Sequence, residues 1–260
     1  SSDLRIEVSS EQSIVYKDDG GVVTLTAVTG ISGWQSYSWT LLSGNECLEL
    51  VGANTETVTL RGLEAGTATL KCTVDGEESD PITVAVAPDA YTVGGVYQDG
   101  STNVYFSKGN LQLDGENTWK LADNQWDCFG SYQSVNHCDL FGWGTGDAPN
   151  KTSTSTGDYA TFNDWGSYAG THANLGGDGS ANTLGWRTLA SWDTAVLNRL
   201  WTSIDGVNVT GLVIKPSTST ATLQASYTEA QWKLAELQGL VFLPAAGYRY
   251  GTSVNNVGDD

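Results

Sequence analysis

The feature that most constrains this fold is a strict apolar–polar alternation that recurs in short runs through the first 88 residues. Apolar side chains alternate at Leu4, Ile6 and Val8, and mostly Thr, Ser and Lys fill the opposite positions of the later runs. Those later runs are 23–27, 37–41, 58–60, 68–74 and 82–86. Because successive side chains of a strand point to opposite faces, this period of two predicts strands with one buried face. Residues 1–88 are therefore predicted to form a sandwich of two antiparallel sheets.

A second region begins after the joint Pro88-Asp89-Ala90, where proline ends the last strand. Residues 104–112 and 118–122 predict two strands around a turn. From residue 124 to residue 185 the periodicity disappears, and Gly, Asn, Asp, Ser and Thr dominate. So long an irregular segment inside a compact domain is usually functional, or else it counts against the assignment of elements there.

Two short helices are predicted near the C-terminal end. Ser191 can cap the first, whose apolar face follows helical spacing over residues 192–200. Thr228 and Gln231 have the capping-box spacing for the second, which should end at Gly239. Strands, irregular loops, two helices and a return strand predict an α+β domain over residues 91–260, after a mainly β first domain.

The charge of the chain excludes some classes of partner. Its formal net charge is −18, and neither part carries a basic patch. Nucleic acid and anionic membrane surfaces are therefore poor partners. No apolar run is long enough for a transmembrane helix. The polar start at Ser1 is compatible with a mature N-terminus, so we expect an exported protein on the extracellular side of a cell surface or outer membrane, with a lipid anchor upstream of Ser1.

The cysteines of an exported chain favour disulfides over metal ligation. The four cysteines are Cys47, Cys72, Cys128 and Cys138. None forms a CxxC pair, and the chain has only two histidines, so a zinc site is not predicted. Two cysteines lie in each part, which predicts a Cys128–Cys138 bridge across a loop and, as a second pair, Cys47–Cys72.

Residues 1–88 resemble a known class of domain. Trp39 is followed by Leu-Leu-Ser-Gly, and the run from Gly62 to Leu70 matches a late strand of bacterial immunoglobulin-like repeats. This resemblance implies a spacer or stalk, in which Trp39 belongs to the core.

Residues 91–260 resemble a family of surface proteins from gut anaerobes. The motifs, in order, are 104–112, Asp139-Leu140-Phe141-Gly142-Trp143-Gly144-Thr145, Asp164-Trp165-Gly166, Gly185-Trp186-Arg187-Thr188-Leu189 and 242–249. That family is similar to C-type-lectin-like domains of the formylglycine-generating-enzyme type, a fold that also carries retroelement-diversified variable proteins. The resemblance implies two helices and a ligand face of loops and late strands. Family members continue beyond the Tyr-Arg strand, so the domain is predicted to be incomplete at its C-terminus.

The best candidate for a binding edge follows the apolar run 240–244. Tyr248 and Tyr250 alternate with Arg249, so on a strand both rings would share one face. Tyrosine and arginine are favoured at interfaces. Trp143 lies between two glycines and is a further binding candidate. The alternative for each residue is local packing.

The long irregular segment also contains candidate metal ligands. Asp147, Asp158 and Asp164 supply hard oxygen atoms that suit calcium. They lack the spacing of an EF-hand, and a solvated acidic loop is the alternative. No cofactor is required by this interpretation, and calcium is the one ion that it allows.

These patterns lead to a non-catalytic interpretation. We expect a cell-surface protein in which an immunoglobulin-like stalk presents a lectin-like domain to a carbohydrate or protein ligand. One alternative is a structural subunit of a surface assembly. A second alternative is a formylglycine-generating-type enzyme, which would need a reactive cysteine pair that the C-terminal part lacks.

Overall fold

The structure is a computed structural model, and the residues that it describes divide into two compact units. It describes residues 3–33, 35–99, 102–115, 119–134, 137–140, 198–207, 209–250 and 253–255. Unit 1 comprises Ser1–Ser107, Ala195–Gly206 and Val213–Phe242. Unit 2 comprises Lys108–Thr194, Val207–Leu212 and Leu243–Asp260. The described residues are mostly β, with one helix.

Residues 1–88 fold into two sheets. The strands are β1 (Arg5–Val8), β2 (Val15–Tyr16), β3 (Val23–Val28), β4 (Tyr37–Ser43), β5 (Leu48–Val51), β6 (Thr57–Gly62), β7 (Gly66–Val74), β8 (Glu77–Glu78) and β9 (Ile82–Ala87). One sheet has the order β1-β3-β6-β5, and the other has the order β2-β9-β7-β4, with β8 paired to β7. Most pairs are antiparallel, whereas β2 and β9 run parallel.

This strand order is that of an immunoglobulin-like sandwich. The sheet β1-β3-β6-β5 corresponds to strands A, B, E and D, and β4, β7 and β9 correspond to C, F and G. Both inner faces contribute to one buried core, which includes Leu25, Leu60, Leu70 and Val84. Trp39 on β4 is buried in that core, and its indole N–H donates to the Thr55 carbonyl oxygen at 2.9 Å. The predicted sandwich and the core position of Trp39 are confirmed.

The strands after residue 88 are shorter. They are β10 (Tyr97–Asp99), β11 (Thr102–Val104), β12 (Leu111–Asp114), β13 (Trp119–Leu121), β14 (His137–Cys138), β15 (Asn198–Ile204), β16 (Thr210–Lys215), β17 (Ser226–Tyr227), β18 (Val241–Pro244), β19 (Tyr248–Tyr250) and β20 (Ser253–Asn255). They form a sheet of order β17-β15-β16-β18, a sheet of order β13-β12-β14, and the pairs β10-β11 and β19-β20.

The predicted second helix is confirmed as α1 (Glu229–Leu237). Thr228 is its N-cap, and the Thr228 and Gln231 side chains each accept from the other's backbone N–H, as a capping box requires. At the other end, Gly239 has φ +86° and donates to the Glu236 carbonyl, while Leu240 donates to the Ala235 carbonyl. These two bonds form a Schellman motif, which explains why the helix ends at this glycine.

The other predicted helix, residues 192–200, is wrong over its described part. Residues 198–200 open strand β15, and residues 192–197 lie outside the described residues. Thr202 and Ile204 of β15 are buried, and the strand lies between β17 and β16. Pairing and burial within a sheet outweigh a helical spacing that was read over only nine residues. The two-helix lectin-like domain is therefore not reproduced by the part of the chain that the structure describes.

Within unit 1, α1 packs against the sandwich. Leu237 belongs to the sandwich core, and Leu234 packs against it. Polar contacts surround this seam, since the Lys233 ammonium donates to the Ser10 carbonyl at 3.3 Å and the Ser13 hydroxyl donates to the Glu236 carboxylate. Burying Leu237 contributes about 1.5–3 kcal/mol, the value for a fully buried side chain, and the partly buried Leu234 adds less.

Glycines let the backbones of unit 1 approach one another closely. A Cβ on Gly94 would lie 2.3 Å from the Ala85 carbonyl oxygen, and one on Gly95 would lie 2.3 Å from the Gly239 carbonyl oxygen. Next to them, the buried Tyr97 hydroxyl is 3.0 Å from the Ile214 carbonyl oxygen and 2.9 Å from that of Gly239. Burial raises the pKa of Tyr97. The segment after the sandwich therefore sits directly against β9 and against the turn that follows α1.

None of the four cysteines forms a disulfide, so the predicted bridges are corrected to free thiols. For Cys47 and Cys72 the reason is geometric. The Cys47 sulfur lies 2.5 Å from where a Cβ of Gly66 would be, whereas Cys72 is six residues further along β7. Six residues of strand span about 20 Å, and a disulfide needs Cα atoms within about 7 Å. The corresponding strand of the other sheet, β3, contains no cysteine that could pair with Cys72.

Among the described residues, no helix has the length and apolar character needed to cross a membrane.

Replacing Gly95 by alanine should destabilise unit 1. The new methyl group would overlap the Gly239 backbone, and overpacking of this kind costs about 1–3 kcal/mol. Thermal unfolding followed by near-UV circular dichroism measures the effect. Gly30→Ala is the matched control, since a Cβ there meets only the Asp3 side chain at 3.4 Å. Equal melting temperatures for the two variants would contradict the close packing.

Free thiols predict a specific labelling pattern. Without reductant, the denatured chain should react at all four cysteines. In the native chain Cys72 should react very slowly, because burial raises the pKa of its thiol to about 11 and the thiolate is the reactive form. Intact mass after iodoacetamide treatment at pH 8 measures both. A denatured, unreduced chain that takes up two labels or none would show that disulfides exist.

Candidate functional site

The predicted binding edge is a strand, as expected. Tyr248, Arg249 and Tyr250 form β19, which pairs antiparallel with β20, and Arg249 lies opposite Val254. Only the backbone of these three residues is described. Trp143, Asp147, Asp158 and Asp164 lie outside the described residues, so their roles stay predictions.

In unit 2, the sheet β13-β12-β14 brings three polar side chains together from neighbouring strands. Asp114 on β12 lies directly opposite His137 on β14, and Lys120 on β13 is a diagonal neighbour. The Asp114 carboxylate is 3.0 Å from His137 Nδ1 through Oδ1 and 2.8 Å from Lys120 Nζ through Oδ2. Cross-strand neighbours of this kind are close enough to interact directly.

Two aromatic rings flank the histidine. Phe129 stacks on the His137 imidazole, with ring centroids 3.7 Å apart and an interplanar angle of 19°. The Tyr132 ring lies at a centroid distance of 4.9 Å from the imidazole, tilted by 52°. Tyr132 is 69% exposed, while the His137 side chain keeps 28% exposure. We call Phe129, Tyr132, His137, Asp114 and Lys120 the His137 cluster.

Hydrogen bonds hold the loop that carries these rings. The Asp139 carboxylate accepts from the Phe129 backbone N–H and from the Gln133 side-chain amide, both at 2.7 Å. Gln133 in turn accepts from the Asp139 backbone N–H at 3.0 Å. Ser134 and His137 exchange backbone hydrogen bonds that close the turn. Because both ends of the turn are tied to one another, the rings keep one arrangement without a disulfide.

The base of the loop is tied in the same way. The Asp127 carboxylate accepts from the backbone N–H of Asn124 at 2.9 Å and from its side-chain amide at 3.1 Å. The Asn110 side chain donates to the Asp127 carbonyl oxygen at 3.1 Å. These bonds anchor the start of the loop to the residue that precedes β12.

Electrostatics keep the Asp114 carboxylate ionised. The hydrogen bond from Lys120 and then that from His137 lower the pKa of Asp114 below its usual value. The stabilisation from these bonds is present above the ordinary carboxyl pKa and is lost as the pH falls through the lowered one. At neutral pH the Asp114 and Lys120 charges cancel, so this pair adds no net charge to the cluster.

The arrangement can hold a histidine but does not activate a nucleophile. An aspartate bound to Nδ1 orients a histidine as in catalytic triads. Among the described residues, however, no hydroxyl or thiol is seen bonded to the other ring nitrogen of His137. Burial raises the pKa of the Cys128 thiol. A hydrogen bond from the Gly130 backbone N–H opposes this shift, and the charges of Asp139 and Asp127 add to it. Such a thiol is a poor nucleophile at neutral pH.

Cys128 and Cys138 form no disulfide, so the structure does not reproduce the predicted bridge between them. Cys138 is buried on β14 opposite Leu113, and its side chain points away from the face that carries His137 and Asp139. Phe129, the residue after Cys128, packs on that His137 and Asp139 face. The hydrogen bonds of Asp139 hold the loop in place of the expected bridge.

Sequence reasoning missed the His137 cluster as a site. It considered the two histidines as candidate zinc ligands, and it placed Asp114 in the turn between residues 112 and 118. The described residues contain no group of three metal-ligating side chains. The available signal was the density of aromatic and amide residues around His137, whereas its pairing with Asp114 depends on strand register.

Comparison with known proteins gives one similar solved structure. No family model matches the chain, and no curated protein matches it. Among solved structures, the chain is similar to the solution structure of the PKD domain from KIAA 1837 protein, at 19% sequence identity and a TM-score of 0.23. The match covers 36% of this chain and 92% of that one. The comparisons give no C-type-lectin or formylglycine-generating-enzyme relationship.

Replacing Asp139 by alanine should loosen the loop. Removing this acceptor leaves the Phe129 N–H and the Gln133 amide without their partner, and such losses cost about 1–3 kcal/mol when the group is buried. Hydrogen exchange at Phe129 should therefore accelerate, while the strands of the sandwich keep their protection. Asp123→Ala is the control, since Asp123 is an exposed acid of the same unit. Unchanged exchange at Phe129 would show that Asp139 does not hold the loop.

Proposed function

We propose that this chain is an exported cell-surface protein that binds a ligand non-covalently, and that the His137 cluster forms part of its ligand face. The observation that carries this proposal is Tyr132, a large aromatic side chain that is 69% exposed on a loop fixed by hydrogen bonds. A ring held in one position loses little conformational entropy when a ligand docks on it. Tyrosine is also among the residue types that contribute most to binding.

The immunoglobulin-like sandwich fits the role of a stalk in this proposal. Its two faces are committed to a single core, and α1 of unit 1 covers one side of it. A rigid support of this kind suits presentation of a ligand face away from a surface. The net charge of −18 keeps such a protein soluble and disfavours polyanionic partners.

The remaining predicted residues extend the proposal. Tyr248, Arg249 and Tyr250 form strand β19 of the β19-β20 ribbon, and we propose them, with Trp143, as further ligand contacts. A carbohydrate or a protein is the ligand class. Calcium at Asp147, Asp158 and Asp164 remains an optional part of the proposal.

A structural subunit is the second candidate function. The observation that favours it is the β19-β20 ribbon, a two-stranded sheet in the part of unit 2 that the structure describes. An isolated two-stranded sheet is only marginally stable in water, so a strand from another chain could complete it. Light scattering of the purified chain distinguishes this function, since an assembly subunit self-associates with rising concentration. We do not propose enzymatic activity, because burial raises the pKa values of Cys47, Cys72 and Cys128.

The binding proposal is tested with the biotinylated chain on an array that carries neutral oligosaccharides, acidic oligosaccharides and peptides. We expect selective binding that Tyr132→Ala weakens by about tenfold, as the loss of a central aromatic contact does. Leu42→Ala, which removes an exposed apolar side chain from β4, is the matched control and should bind like the unmodified chain. Binding that ignores both substitutions, or no binding to any array feature, would contradict the proposal.

A further inference from the structure

We propose that the His137 cluster binds a neutral, hydroxyl-rich saccharide without calcium. In this complex a sugar ring packs on Tyr132, and one sugar hydroxyl donates to His137 Nε2. The inference rests on the proposed function, and it adds the chemical class of the ligand and the two side chains that select it.

The first argument is the amphipathic shape of the exposed surface. Tyr132 is 69% exposed and carries a phenolic hydroxyl, and its ring centroid lies 4.9 Å from that of His137, which stacks on Phe129. Small-ligand sites combine apolar and aromatic area with a few well-placed polar atoms. A pyranose matches that combination, since its C–H face is apolar and its rim consists of hydroxyl groups.

The second argument is the orientation of the histidine. His137 Nδ1 lies 3.0 Å from the Asp114 carboxylate, which can only accept, so the proton of the neutral ring sits on Nδ1. His137 Nε2 is then an acceptor, with no donor bonded to it among the described residues, and a hydroxyl of the ligand can donate to it. Alcohol hydroxyls supply one at neutral pH. Asp114 is the positioning residue in this arrangement, because it acts on the ligand only through the imidazole.

The third argument is charge. The Lys120 ammonium neutralises Asp114, so no positive charge in the described part of the cluster is left over for an anionic ligand. Asp139 and Asp127 lie in the same loop, and the partners that the structure describes for their carboxylates are uncharged amide donors. Their negative field disfavours uronic acids, sulfated sugars and phosphates. A basic peptide would be attracted by the same field, and its binding would weaken steeply with salt.

Isothermal titration calorimetry with the full chain tests the inference, using the neutral and acidic oligosaccharides and the basic peptides that the array retains. We expect a neutral oligosaccharide to bind with an affinity that is unchanged by EDTA and by raising sodium chloride from 50 mM to 500 mM. Salt screens interactions between charges, and a neutral ligand carries no charge. Tyr132→Ala should weaken this binding by about tenfold.

One variant at His137 and one at Asp114 separate recognition from folding. His137→Asn keeps a donor toward Asp114 but removes the imidazole edge and Nε2, so it should weaken saccharide binding as Tyr132→Ala does. Asp114→Asn should weaken saccharide binding more than it lowers the melting temperature, because an amide can also donate to Nδ1 and no longer fixes the proton there. The ring ¹⁵N chemical shifts of His137 should show this change of tautomer. If His137→Asn fails to fold, the exposed Tyr132→Ala variant still decides the outcome, with Leu42→Ala as the control.

Each result points one way. Tyr132-dependent binding of neutral saccharides that resists EDTA and salt supports the inference. Tyr132-dependent binding only of peptides or only of acidic saccharides overturns it and leaves the proposed function standing. Neutral-saccharide binding that EDTA abolishes, or that Tyr132→Ala leaves intact, also overturns it. The absence of Tyr132-dependent binding to any ligand overturns both proposals.

Discussion

The contact on which unit 1 depends is the close approach between its sandwich and the segments that follow it. Leu237 of α1 lies in the sandwich core, and Gly94, Gly95 and Gly239 leave no room for a Cβ where the backbones meet. Burial of apolar side chains stabilises this contact, and the glycines allow the two backbones to approach closely. Residues 1–88 therefore do not form the whole of the sandwich core, because Leu237 of α1 is also part of it.

In unit 2, a different interaction organises the candidate site. Strand pairing puts Asp114 opposite His137, and the Asp139 carboxylate ties the aromatic loop to the same strand end. Charge-assisted hydrogen bonds to backbone and amide donors are stronger than neutral ones, so a single carboxylate can fix the loop. This explains how the loop is held in place although the predicted disulfide does not form.

The strand of the predicted binding edge could be read from the sequence, whereas the His137 cluster could not. Tyr248, Arg249 and Tyr250 were predicted as a strand because local alternation after an apolar run is visible in any window of the chain. Asp114 and His137 are 23 residues apart, and nothing local indicates that one faces the other. Their meeting depends on the register of β12 and β14, which a slip of one residue would abolish.

The sequence by itself determined six of the nine strands of the sandwich (β1, β3, β4, β6, β7 and β9) and the limits of α1. Period-two alternation and the Thr228–Gln231 capping box are local patterns whose physical basis lies within a few residues. The tertiary structure alone decided that residues 198–200 join a strand, that Cys47 and Cys72 lie about 20 Å apart along the sandwich, and that His137 meets Asp114. Those outcomes depend on partners distant in the chain, because sheet pairing and core burial are satisfied only when the whole fold has formed.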